Sequence, residues 1–449
     1  MNGLISLLAF IVTLGILVTV HEYGHYWVAR RCGIKVLTFS IGFGKKLLSW
    51  QRGDTTWQLA AIPLGGYVRM LDEREAPVDD ADLSRSFNQQ HPLKKMAVAV
   101  AGPAANLILA LLFYWILFLS GVSTLKPVVA DVVSGSPAQL AGIRAGDRID
   151  SVAGEPVVSW DDLLGQMIDA SSSGVPFDMV LRGASGDATV RVDPVKAGIS
   201  NVDADLLDRF GISPLPIIPV VSQVEPGSAA AQAGIRAGDK LSLINGKPLD
   251  SWTTLQQTLI KHPDQPLQLT VIRAGAPLVM TLTPHVLELK GKRIGRVGLA
   301  PTLDPQRWDA QQMQLRYGPL DAMAASWSKA WGTVGFTLRM FGRMLTGQVS
   351  TSQIGGPVTL ATVAGRSAQM GLEPFISTLA LISLSLAVLN LLPVPLLDGG
   401  HLMYHTAELV TGRPVPERVQ AFGMRLGLAF LAGLMALALY NDFFRLISG

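Results

Sequence analysis

Long stretches without charge constrain this 449-residue chain more than any other feature. Leu4 to Val20 holds no charged residue, and neither do the runs 96–121 and 374–397. A helix of about 20 apolar residues crosses a bilayer, so these runs, with a shorter one at 426–440 bounded by Arg425 and Asp442, read as four membrane spans. The first, over 4–26, lacks a basic segment before Arg30 and a small-residue cleavage site, and reads as a retained helix rather than a signal peptide. A content of 49% hydrophobic and only 16% charged residues does not fit an ordinary soluble protein. The net charge of +3, with no dense Lys/Arg patch, argues against nucleic acid as a partner. Cys32 is the sole cysteine, so any metal must be held by His, Asp or Glu.

The residues between the second and third runs have a different texture and contain a repeat. Ser136-Pro-Ala-Gln-Leu-Ala-Gly-Ile-Arg-Ala-Gly-Asp147 matches Ser228-Ala-Ala-Ala-Gln-Ala-Gly-Ile-Arg-Ala-Gly-Asp239, and Gly154, Pro156 and Trp160 match Gly246, Pro248 and Trp252 at the same offset. Each copy begins with an apolar β-type run (Pro127 to Val133; Ile217 to Val224), followed by a short Ala-rich helix, the Gly-Asp turn, a strand and a Gly-x-Pro turn. The pattern resembles bacterial, permuted PDZ domains, which capture extended peptides along a sheet edge. Such modules also serve as spacers or size filters, and the sequence leaves both roles open. Pro319 to Gly347 reads as an amphipathic helix lying at the membrane interface. The Gly-punctuated segment Lys35 to Met70 reads as β structure, with a hairpin turn at Arg52-Gly53-Asp54 between strands 46–51 and 55–62.

The first span ends in His21-Glu22-Tyr23-Gly24-His25. Ionisable residues are costly inside a membrane and mark function there. Residues four apart share a helix face, so His21 and His25 can present two imidazoles to one metal, while Glu22 is placed to act on a water without being a ligand. Catalytic zinc takes three protein ligands. The best third ligand lies in Asn390-Leu-Leu-Pro393-Val-Pro395-Leu-Leu-Asp398-Gly399-Gly400-His401, where Asp398 offers a carboxylate and the glycines allow close backbone approach. His401 and His405 compete for the role but lack the adjoining acid. Pro393 and Pro395 break helix, and irregular backbone at membrane depth needs burial or a wet cavity. Asn390 beside them suits either a hydrogen bond to an unwound substrate backbone or one to a neighbouring helix.

Parity brings the two motifs together. His25 ends span one and Asp398 ends span three, and two crossings bring span three back in the direction of span one. The loop 26–95 holds 11 Lys/Arg in 70 residues against 22 in the 252 residues of 122–373, so the loop is read as cytoplasmic and the tandem modules as external.

His-Glu-Tyr-Gly-His with Asn390-x-x-Pro-x-Pro-x-x-Asp-Gly-Gly resembles the site-2 protease family of intramembrane metalloproteases, and Ile41-Gly-Phe-Gly44 and Pro63-Leu-Gly-Gly-Tyr67 extend the likeness. It implies that His21, His25 and Asp398 bind Zn2+ and that Glu22 activates water; Asn390, Pro393 and Pro395, from the residue reading above, are the expected substrate-binding residues. It also implies that residues 35–70 form membrane-associated β structure guiding the substrate. Family members cleave single-pass proteins of the anti-sigma factor type within the bilayer of the bacterial inner membrane, and some clear remnant signal peptides. The expected protein is a polytopic α-helical membrane protein with four transmembrane helices, a membrane-associated β-hairpin region and two tandem PDZ-like α+β domains. Its divisions are 1–121, 122–214, 215–302, a linker with the amphipathic helix at 303–372, and 373–449. The active site is expected near the cytoplasmic side and the PDZ-like pair in the periplasm. A non-catalytic tandem-PDZ scaffold is the alternative, disfavoured because the acid and all three ligands are present. A transporter is disfavoured by four spans without a membrane-domain repeat.

Overall fold

The first uncharged run forms the helix Asn2–Arg31, which carries the His-Glu motif in its last three turns. A computed structural model of the chain describes residues 2–74, 77–183, 186–199, 206–249, 251–289, 292–345 and 355–448. It divides into two compact units, Met1–Val122 with Arg316–Gly449, and Ser123–Leu315. Among the described residues four helices are long and apolar enough to cross a membrane: Gly3–Arg31, Pro92–Ser120, Leu372–Asn390 and Glu417–Phe443. The chain is a polytopic membrane protein with a β-rich region.

Two of these helices differ from the sequence expectation. The third stops at Asn390, and Asp398 opens a separate helix, Asp398–Thr411, instead of ending the span. The fourth runs over Glu417–Ser448, straight through Asp442. That carboxylate is tolerated because it is buried and accepts hydrogen bonds from the Gly356, Val358 and Thr359 amides and from Thr359 Oγ1. It thereby caps the helix Pro357–Met370, which satisfies amides that a helix start leaves open. The amphipathic helix is Pro319–Leu345, with Trp327, Trp331 and Phe336 exposed; the last two residues of its expected range lie outside the described residues.

Helices one and two pack through small residues. A Cβ on Gly24 would lie 2.4 Å from the Ala101 carbonyl oxygen and 2.8 Å from Ala105 Cβ, so only glycine permits this approach. The β region is longer than a simple hairpin, with strands Val36–Arg52 and Thr55–Met70. Gly42 and Gly44 take φ of +90° and +86°, which bends the first strand so that its two halves pair separately. Lys46 to Arg52 pairs with Ala60 to Thr55 across the expected turn, whereas Phe39 sits between Val68 and Trp57. The segment 66–70 is left as an outer edge. At Gly66 this edge presses on the first helix, where an added Cβ would sit 3.0 Å from Val18 and 3.1 Å from Glu22.

In the second unit the repeat gives two like modules. Their short helices, Pro137–Leu140 and Ala229–Gln232, are capped by Ser136 and Ser228, and the longer ones, Trp160–Ser172 and Trp252–Lys261, by Ser159 and Ser251. The apolar run of module 1 pairs through a bridge, Val128 opposite Arg148, and a short strand, Asp131–Val132, whereas that of module 2 is one continuous strand, Ile217–Val224. Each module has its own apolar core. Asp239 is 1% exposed and is gripped by Arg273 through two hydrogen bonds of 2.7 Å, which holds its carboxyl below the usual range.

Candidate metal centre

One helical turn separates His21 from His25, and their rings meet edge to face with centroids 4.8 Å apart. The second spanning helix runs against this face and supplies what the imidazoles touch. His25 Nδ1 donates to the Val98 carbonyl oxygen at 2.7 Å. A carbonyl only accepts, so the ring hydrogen is on Nδ1 and the Nε2 lone pair faces away from it. That Nε2 lies 3.2 Å from His21 Nε2.

Asp398 arrives from the irregular segment 391–397. Its backbone satisfies itself locally, with Val394 N donating to Leu392 O and Leu397 N to Val394 O. Leu396 adopts φ of +93°, a strained value for leucine, immediately ahead of the helix that Asp398 begins. Gly399 and Gly400 let that helix tuck under the segment, since added Cβ atoms would sit 2.2 Å from Leu392 O and 2.5 Å from Val394 O. Lys95 on the second helix is buried and paired with Glu408 at 2.7 Å, which anchors the far end of the same short helix. Breaking such a pair costs about 3–5 kcal/mol, so the helix bearing Asp398 is firmly fixed.

The result is a convergence of three donors. Asp398 Oδ2 lies 3.1 Å from His21 Nε2, and Asp398 Oδ1 lies 3.4 Å from His25 Nε2. Among the described residues, His21, His25 and Asp398 are the group with metal-holding geometry. Donors about 2.0–2.1 Å from a tetrahedral zinc lie about 3.3 Å from one another; the two imidazole nitrogens are 3.2 Å apart, and the Asp398 carboxylate meets one ring with each of its oxygens, at 3.1 and 3.4 Å. Lone pair also faces lone pair at His25 Nε2 and Asp398 Oδ1, an arrangement that a cation between them makes favourable. The residues fit a zinc ion.

A cavity of about 910 Å³ surrounds the donors and is also lined by Glu22, Asn390 and His401. The match to the Peptidase family M50 model covers residues 9–434, which includes the whole constellation. The chain belongs to peptidase family M50, the site-2 protease family. As a member it is a zinc metalloendopeptidase. It is 40% identical over 447 residues to the regulator of sigma-E protease RseP of Escherichia coli K12, covering 98% of this chain and 99% of that protein. It is 40% identical over 467 residues to the protease RseP of Yersinia pestis, covering 99% and 100%. A protein of Neisseria meningitidis serogroup A named as a zinc metalloprotease is 43% identical over 445 residues, covering 98% and 99%.

Within this M50 site, the predicted residues are not all brought together. His21, Glu22, His25, Asn390 and Asp398 share the cavity, but Pro393 and Pro395 are not among its lining residues. Pro393 is exposed, and Pro395 packs on the fourth spanning helix, where a Cβ on Gly427 would meet its carbonyl oxygen at 2.0 Å. Their rings shape the loop behind Asp398. Of the competing histidine pair, His405 turns to Glu408 at 3.3 Å and stacks edge-on against Phe87. The residues that sequence reading missed are on the second helix: Val98, Gly102 and Asn106. They recur every four positions, as the histidines do, and that shared spacing was the available signal.

Proposed function

We propose that this chain hydrolyses peptide bonds within the membrane segments of single-pass proteins, with His21, His25 and Asp398 as the zinc ligands and Glu22 as the general base. The observation that carries the reading is the convergence of two imidazole nitrogens of the first spanning helix and the Asp398 carboxylate, with Glu22 in the same cavity. Zinc bound there supplies Lewis acidity toward a carbonyl oxygen and makes water a better nucleophile at neutral pH. Glu22 accepts the proton of the attacking water and returns it to the departing amine nitrogen. A helical substrate hides its amides, so the bond must first be unwound. The strand edge at 66–70, which lines the cavity beside Glu22, offers backbone groups to an extended segment. Asn390, at the end of the third span and on the cavity wall, is suited to hold a substrate peptide group, while Pro393 and Pro395 keep the neighbouring loop open in shape.

The sigma-E regulators among its relatives support an anti-sigma factor as substrate in the bacterial inner membrane, with remnant signal peptides as a second class. The basic loop 26–95 supports an active site toward the cytoplasm and the 123–315 insert in the periplasm.

The tandem modules then act as PDZ-like units, and their differences favour module 2 as the peptide-binding one. A groove of about 420 Å³ runs beside its helix Trp252–Lys261, lined by Leu255, Leu259, Ile294 and Leu299. The matching stretch of module 1 is a helix, Leu206–Phe210, whose Leu206, Leu207 and Phe210 are buried in that module's core.

Detergent-purified protein incubated with a labelled single-span substrate tests the proposal. Cleavage inside the span is expected, stopped by a zinc chelator and restored by added zinc. Chelator-insensitive product, or cleavage confined to the substrate's water-exposed flanks, would overturn it.

A further inference from the structure

His25 owes its orientation to a backbone carbonyl, and the corresponding atom of His21 faces a side chain. Asn106 lies two turns beyond Val98 on the second spanning helix and is 1% exposed. Its Nδ2 is 3.3 Å from His21 Nδ1, and its Oδ1 is buried without a hydrogen-bond partner. His21 meets Asp398 and His25 through Nε2, so Nε2 must carry the lone pair when a metal is held. The ring hydrogen is then on Nδ1 and needs an acceptor. A carboxamide turned through 180° exchanges its nitrogen and oxygen without displacing its neighbours. That rotation sets the unpartnered Oδ1 against Nδ1–H.

We propose that Asn106 is a positioning residue for the metal centre, its carboxamide oxygen accepting from His21 Nδ1–H and thereby fixing the tautomer and ring angle that aim Nε2 at the metal. The inference rests on the zinc reading above. It makes the second helix a two-point template: Val98 O sets His25, Asn106 Oδ1 sets His21, and Gly102 midway leaves room for both rings. Ligand histidines held by an outer acceptor lose about 10–100-fold in metal affinity when it is removed. The competing explanation is helix packing, and the structure separates the two. The link to the third spanning helix uses the Asn106 backbone, whose carbonyl accepts from Ser383 Oγ at 2.7 Å, and leaves the carboxamide free of that task.

The test is zinc affinity of the full chain in detergent, measured by competition with a chelator, so that it does not depend on turnover. Asn106→Leu keeps the volume and lacks the acceptor; affinity is expected to fall about 10–100-fold. Asn106→Asp keeps the acceptor and removes the amide donor, and Ser383→Ala loosens the helix pair without touching the carboxamide. Both are expected to retain affinity within about threefold, less than the effect of losing an outer acceptor. Wild-type affinity in Asn106→Leu, or a loss in Asn106→Asp or Ser383→Ala as large as that expected for Asn106→Leu, overturns the assignment. Should Asn106→Leu fail to fold, the Asn106→Asp value decides alone. Wild-type protein that takes up no zinc, or Asp398→Ala that retains it, would instead refute the centre itself.

Discussion

Gly102→Ala is expected to abolish zinc binding and, with it, peptide hydrolysis. A Cβ at this position would lie 2.2 Å from His25 Nε2 and 2.7 Å from His21 Nε2, on the nitrogens that converge with Asp398. Neither ring can retreat easily, because His25 is held by Val98 O and the first helix is locked onto the second at Gly24. The methyl group therefore displaces at least one donor. Losing one ligand of three leaves a site too poor for catalytic zinc. In an apolar helix the same change adds about 1 kcal/mol of helix propensity, so a folding defect is not the expected cause. Zinc content and thermal unfolding of the variant check both halves: metal below about a tenth of an equivalent, with cooperative unfolding close to that of zinc-stripped wild-type protein, since bound metal itself raises the unfolding temperature. A variant that keeps a full equivalent of zinc would show that the rings do not use the Gly102 face.

Glu22→Gln is expected to leave zinc in place and to lower kcat by about 10²–10⁴-fold, the usual contribution of a positioned general base. Glu22 lines the cavity but is not one of the three converging donors, so the amide should be neutral for the metal. It lacks the basicity to take a proton from water. KM should change little, since Glu22 is assigned to proton transfer and substrate binding to other residues. Single-turnover rates with the labelled single-span substrate, alongside metal analysis, separate this outcome from ligand loss. Wild-type turnover in Glu22→Gln would remove Glu22 from the mechanism.

Much of this site is legible in the amino-acid sequence. The four-residue spacing of His21 and His25 fits the period of a helix, so the pattern names the face as well as the residues. Asp398 was legible from its surroundings, because two prolines and two glycines in an apolar stretch rule out a plain spanning helix. Span parity then joined them without any knowledge of packing. The limits came where packing decides. Val98 acts through its carbonyl and Gly102 through the side chain it lacks, neither of which a residue type announces. Asn106 in an apolar run reads as an ordinary interhelical hydrogen bond. The fourth span read as ending at Asp442 because a lone carboxylate is costly there. Its hydrogen bonds come from Gly356, Val358 and Thr359, more than 80 residues earlier, so local sequence could not show that the helix continues. Likewise Phe39 pairs with both Val68 and Trp57 only because Gly42 and Gly44 bend the strand.

The central claim is that one zinc ion is held by His21, His25 and Asp398. Anomalous diffraction from crystals of the full chain, recorded on both sides of the zinc absorption edge, tests it most directly. The account predicts a single edge-dependent peak between His21 Nε2, His25 Nε2 and the Asp398 carboxylate, absent from crystals of Asp398→Ala. A zinc-replete crystal with its peak elsewhere, or with the same peak after Asp398 is removed, would contradict it.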